Sequence, residues 1–284
     1  MNANPLQRLQ TYWDWRAAGN FICGGAGAGL AVVTTVHAMD TPGARWIVAA
    51  GLALVGLGLF CVWLEIGRPL RALNVFLHLR SSWMSREAVA AVVLFLLGSG
   101  LVLGMPWRAW PTGIAALVFL YCQARILREA RAIPAWRAPL TLPLVMLTGL
   151  AEGIGLFWLL AAWLRPEAFL MLPLAGMPIA RGALWLVWRR QLERRASPVA
   201  LRALDRNGRW LLGAGTVAPV TLAALGASGW LASPVAAAAL ALAGALVAGT
   251  GAAFKFCLIT RASHHLGYSI PRMPVRGVVH TASH

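Results

Sequence analysis

The chain has 284 residues, of which 59% are hydrophobic and only 12% charged, and its formal net charge is +16. Soluble domains run near a quarter charged, so a composition this apolar takes lipid as its solvent and excludes an ordinary soluble enzyme. The positive charge is almost all arginine set between apolar runs, which excludes nucleic acid as the partner and points to the charge rules of membranes.

A spanning helix needs about 20 mostly apolar residues, and eight runs qualify. The first, Ala17–Met39, follows a polar and aromatic stretch and is expected to be a retained helix, since no short apolar segment with a small-residue cleavage site precedes it. It carries Gly24, Gly25, Gly27 and Gly29, a small face for close helix packing. The second, Trp46–Leu64, ends in Leu64-Glu65-Ile66-Gly67-Arg68-Pro69, where the proline stops the helix and Glu65 can meet Arg68 at i,i+3. The third, Ala88–Met105, is preceded by Ser82-Trp83-Met84-Ser85-Arg86-Glu87; Ser85 is expected to cap it and Glu87 to favour its positive end. The fourth, Ala109–Ala124, is short and extends naturally past Arg125, which can pair with Glu129 at i,i+4.

The fifth and sixth runs, Ala138–Leu164 and Ala168–Trp188, each hold one ionisable residue, Glu152 and Arg181. Such groups cost about 2.5–3.5 kcal/mol near mid-membrane and face a partner or a cavity. Two readings stand open for them: a proton path or headgroup contact, and a buried structural pair. An uncharged stretch of 45 residues then divides at Gly229–Pro234 into Trp210–Trp230 and Val235–Phe254, with Lys255 opening the tail.

With eight crossings, 21 basic residues fall on the N-terminal side and three, Arg45, Arg108 and Arg165, on the other. The positive-inside rule makes the first side cytoplasmic, with both termini there. Tryptophans at helix ends, among them Trp13, Trp46, Trp83, Trp136 and Trp210, form the expected interfacial belt. Cys23, Cys61, Cys122 and Cys257 make no CxxC pair, so no iron–sulfur or zinc site is expected in this chain. Heme needs opposed histidines inside the bilayer, and His37 alone is near a helix, so no heme is expected either.

Asn20 and Tyr121 enter their helices near the arginine-rich side, and Tyr121 shares a helix face with Arg125. A carboxamide and a phenol at that level suit the two carbonyls of a quinone ring; each suits an interfacial anchor as well.

Several motifs together resemble a known family. Trp13-Asp14-Trp15-Arg16-Ala17-Ala18-Gly19-Asn20-Phe21, followed by a glycine-rich helix, is similar to the start of polysulfide-reductase (NrfD-type) membrane subunits. The second-to-third helix junction resembles theirs too, and that of the dimethyl-sulfoxide-reductase anchors. So does the stretch from Tyr121 through Arg125 to Arg131-Ala132-Ile133-Pro134-Ala135-Trp136. The tail, Phe254-Lys255-Phe256, Thr260-Arg261-Ala262 and Pro274-Val275-Arg276-Gly277, most resembles the membrane subunit of phenylacetyl-CoA:acceptor oxidoreductase. The resemblance implies two four-helix bundles, here 1–137 and 138–284. It implies a quinone (ubiquinone or menaquinone), a ferredoxin-like four-cluster iron–sulfur subunit, and a molybdopterin catalytic subunit. Asn20 and Tyr121 match quinone-binding positions of the family; a third, histidine there, is Cys23 here. On this reading Asn20, Cys23, Tyr121, Arg125, Glu65, Arg68 and Arg86 form the quinone site, and Glu65, Glu152 and Arg181 the proton path. This chain itself supplies no catalytic residue and no metal ligand. The expectation is an all-α membrane anchor in the bacterial cytoplasmic membrane, with partners on the cytoplasmic face. A transporter or permease, and a structural tether without quinone, are the rival classes; no inverted repeat or paired broken helices favour transport.

Overall fold

The computed structural model describes residues 9–37, 39, 43–65, 69–130, 132–164, 175–193 and 195–265. Among them are eight long helices: α1 (Trp15–His37), α2 (Ala44–Trp63), α3 (Trp83–Val102), α4 (Pro106–Glu129), α5 (Thr141–Leu164), α6 (Gly176–Leu192), α7 (Pro198–Ala227) and α8 (Ser233–Thr260). All but α6 are long and apolar enough to cross a bilayer. The protein is therefore an all-α, multi-span membrane protein. The count of eight crossings is not reproduced: α6 has 17 residues, and 168–174, with which the sixth apolar run begins, lie outside the described residues.

Three of the helix boundaries that differ from the sequence reading place the polar residues. α3 begins at Trp83, five residues early, because Ser82 rather than Ser85 is the cap: its Oγ accepts from the Ser85 amide at 3.4 Å. That places Glu87 inside the helix, where it is buried. α7 begins at Pro198, where Ser197 Oγ accepts from the Ala200 amide at 3.1 Å and proline fills the first turn. Arg202, Arg206 and Arg209 therefore ride on a helix and not in a loop. α8 continues past Phe254 to Thr260, so Lys255 is a membrane residue, only 1% exposed, and not the start of a tail.

Packing centres on α5, which lies against α1, α4, α6 and α8, while α1 also contacts α2 and α4, and α3 packs on α4. Small residues make the closest approaches possible. A Cβ at Gly153 of α5 would run into the Gly29 and Leu30 backbone of α1, and one at Gly244 of α8 into Gly155 of α5. Leu9 pairs with His264, and the Gln10 amide donates to Ser263 O at 3.0 Å. The N-terminal end of α1 and the C-terminal end of α8 thus sit together. Indole rings fasten the same end: Trp13 lies 4.8 Å from Trp136, whose Nε1 donates to Leu258 O at 2.9 Å.

Candidate functional site: a polar cavity at the arginine-rich end

The entry to α1 is fixed by charge. Asp14 accepts from the Arg16 amide at 2.8 Å and pairs with its guanidinium, whose NH1 donates to Leu64 O at the end of α2. The Arg16 side chain, ahead of the neighbouring amides, holds the Asp14 carboxyl below its usual range. Two turns on, at Asn20–Gly24, the helix widens into a π turn. Such bulges concentrate at functional sites. The wider turn opens space beside two backbone carbonyls, and each receives a side chain: Gln123 Nε2 donates to Asn20 O at 3.0 Å, and Lys255 Nζ to Phe21 O at 2.8 Å. Gly24 and Gly25 make this possible, because a Cβ on either would collide with Gln123 or Lys255. Part of the glycine-rich face therefore admits polar side chains rather than a helix.

Asn20 itself is buried, and its Nδ2 donates to Glu87 Oε1 at 3.2 Å. Its own Oδ1 has no hydrogen-bond partner among the described residues. These two side chains border a cavity of about 180 Å³, closed by Trp13, Phe21, Met84 and Ile126, with Glu65 at its edge. Burial is the main force raising the Glu65 carboxyl above its usual range, helped by Asp14 and opposed by Arg16. Among the described residues no ion pair involves Glu87. The cavity thus joins an amide, two carboxyls and aromatic walls within one turn of the arginine-rich helix ends.

The remaining expected site residues are distributed elsewhere. Tyr121 does not border this cavity. It is 39% exposed and meets Trp83 edge-on at 5.7 Å, on an apolar groove between α3 and α4. Arg86 and Arg125 both stack on Trp83, at 4.2 and 4.5 Å from its centroid. Arg86 also donates to Leu79 O and Arg80 O, and Arg125 pairs with Glu129 at 2.9 Å. These contacts make the two arginines fasteners of the α3–α4 end. Cys23 is half-buried and off the cavity wall. Arg68 lies outside the described residues, as do 266–284, which include the Pro274–Gly277 motif.

Deeper in the bundle the two intramembrane charges are not partners of each other. Glu152 Oε2 accepts from Lys255 Nζ at 2.6 Å, both side chains being 1% exposed. Arg181, wholly buried, donates to Val247 O at 3.0 Å and to Gly215 O at 2.6 Å. Gly215 belongs to a second π turn, Gly213–Val217 in α7. Sequence reasoning missed Glu87, Gln123 and Lys255. The legible signal was their place at the edge of an apolar run, Glu87 and Lys255 just outside one and Gln123 just inside another; only the helix ends, which run past all three, put them within a span. Among the described residues no group of three or more His, Cys, Asp or Glu is arranged to hold a metal ion.

Comparisons with known proteins agree with this membrane architecture. Residues 19–185, more than half of the chain, match the model of the DMSO reductase anchor subunit (DmsC) family. Among curated proteins, the C subunit of the sulfite dehydrogenase of Allochromatium vinosum is 29% identical over 137 residues, covering 41% of each sequence. The corresponding C polypeptide of the anaerobic dimethyl sulfoxide reductase of Haemophilus influenzae is 29% identical over 120 residues, 38% of this sequence and 42% of that one. Each alignment thus spans about two-fifths of the relative's length. The matched region begins one residue before Asn20 and runs through Glu87 and Gln123 to Glu152 and Arg181, so the polar interior described above, Lys255 excepted, lies within it: this protein belongs to the DMSO reductase anchor subunit family.

Proposed function

We propose that the protein is the quinone-reactive membrane anchor of a molybdopterin oxidoreductase of this class. It would pass electrons between a ferredoxin-like four-cluster iron–sulfur subunit, docked on the arginine-rich cytoplasmic face, and the quinone pool of a bacterial cytoplasmic membrane. The observation that carries the reading is the buried Asn20–Glu87 hydrogen bond on the wall of the 180 Å³ cavity. The cavity falls below the roughly 300–1,000 Å³ of a site for a drug-sized ligand, so it takes a single substituted ring and leaves an isoprenoid tail in lipid. The family match favours an anchor over a permease.

The fit of a quinone ring rests on the donor set. Asn20 offers an amide donor and an Oδ1 that lacks a partner among the described residues, and Glu87 offers a carboxyl facing it. A bound quinone or quinol supplies two-electron chemistry coupled to two protons. Asn20 orients the ring and holds Glu87 in place. Glu87 exchanges a proton at Oε1, and Glu65, at the cavity edge near Arg16, exchanges it with water. Trp13 and Phe21 exclude water from the ring's flank.

The same reading extends a proton path inward through Gln123, Lys255 and Glu152 toward Arg181. Gln123 and Lys255 meet at the first π turn. Three oxygens along this line, Asn20 Oδ1, Gln123 Oε1 and Glu152 Oε1, are buried without partners among the described residues, and water is what satisfies such groups in an interior. The family match ends at residue 185, so the likeness of the tail to the phenylacetyl-CoA enzyme's membrane subunit rests on the tail motifs alone, and Lys255 among them is accounted for by the Glu152 pair.

Binding of a fluorescent quinol analogue to membranes holding the assembled complex tests the site. Asn20→Leu removes the donor and should weaken binding about tenfold or more, one lost hydrogen bond plus the unpaired Glu87. Tyr121→Phe, off the cavity, should leave it within about threefold. The reverse ranking would move the site to the α3–α4 groove.

A further inference from the structure

The N-terminal half of α7 turns Ala200, Leu204 and Leu211 into the core and leaves Arg202, Arg206 and Arg209 exposed at the surface. The nearest acid, Asp205, is engaged elsewhere: it accepts from Arg189 NH2 at 2.8 Å, and Glu193 also faces Arg189. Among the described residues none of Arg202, Arg206, Arg209 or Arg261 joins an ion pair. Arg206 stands between two clefts. One, about 770 Å³, is shared with Arg202 and Arg209. The other, about 460 Å³, lies between α7 and α8, with Arg206 on one wall and Arg261, just past the end of α8, on the other. Its lining turns apolar along α8, through Phe256, Ala253 and Ala252. Trp210, 66% exposed at its edge, marks the headgroup level.

We propose that the α7–α8 cleft binds an anionic phospholipid, its phosphate held between Arg206 and Arg261 and an acyl chain lying along Ala252, Ala253 and Phe256. Charge complementarity selects the anion, since basic pockets between spanning helices hold such headgroups. Guanidinium is the side chain best matched to phosphate oxygens. The apolar wall selects a lipid over a free anion. It also selects a lipid over an acidic protein, because a partner approaching from water does not reach side chains inside a spanning helix.

The test uses the full-length protein in detergent, delipidated and then titrated with phosphatidylglycerol, phosphatidylcholine or inorganic phosphate, with bound lipid counted by native mass spectrometry. Phosphatidylglycerol should be retained at least about tenfold better than phosphatidylcholine, as two arginines without an ion-pair partner among the described residues imply. R206Q/R261Q should lose that preference, whereas R206K/R261K, which keeps both charges, and R45Q, at the opposite end, should keep it. The lysine pair separates loss of the headgroup contact from loss of fold. Equal retention of the two lipids, an unchanged preference in R206Q/R261Q, or displacement of the lipid by equimolar phosphate would overturn the proposal.

Discussion

Glu87→Gln should lower quinone-linked turnover of the assembled enzyme by about 10²–10⁴-fold, the range in which a positioned proton-transfer group contributes. Dye-linked activity of the catalytic partner should be intact. The glutamine keeps the size of the side chain and an acceptor for Asn20 Nδ2, so the cavity wall stays in place and only the exchangeable proton is lost. The same preparation should bind the quinol analogue within a few fold of the unaltered protein. That split between turnover and binding separates a proton-transfer role from a packing role. Quinone turnover unchanged in Glu87→Gln would remove Glu87 from the chemistry.

The largest expected effect on stability is at the Lys255–Glu152 pair. Breaking a buried ion pair by removing one partner costs about 3–5 kcal/mol, because the remaining charge is stranded in low dielectric. Lys255→Met should therefore lower the thermal midpoint of the detergent-solubilised protein by about 10 °C, taking roughly 2–4 °C per kcal/mol for a protein of this size. It also strands the Phe21 carbonyl in the π turn, so the quinol site should loosen with it. Glu152→Gln combined with Lys255→Met removes both charges and should recover most of the loss. A Lys255→Met variant as stable as the unaltered protein, measured by scanning fluorimetry, would show that the pair carries no such energy.

The parts of the fold that were legible in the sequence follow from chemistry that is local or compositional. Apolar length located seven spanning helices, and the arginine bias located the face where the polar cavity opens. Asn20 stood out because it enters its helix near the arginine-rich side, where a carboxamide suits a quinone carbonyl. What escaped is set by helix ends and by tertiary contacts. The use of Ser82 rather than Ser85 as the cap moves Glu87 from a dipole partner outside the membrane to a buried neighbour of Asn20. A few more residues of helix turn Lys255 from a tail residue into the counter-charge of Glu152, 103 positions away, a pairing no local spacing encodes. The π turn at Asn20–Gly24 has no signature of its own; only its glycines were visible, and they read as packing. Tyr121 is the converse case. Its helix face was read correctly, but that face looks onto Trp83 and the α3–α4 groove rather than toward Asn20.

The central claim is that a quinone ring meets this protein between the N-terminal turns of α1 and α3. Photolabelling the intact, membrane-embedded complex with a ring-azido quinone, followed by peptide mapping, reads this directly. Competable label should fall within Trp13–Phe21 and Met84–Glu87, the cavity walls. Competable label confined to the α6–α7 end or to the Tyr121 groove, with none on those two segments, would contradict it.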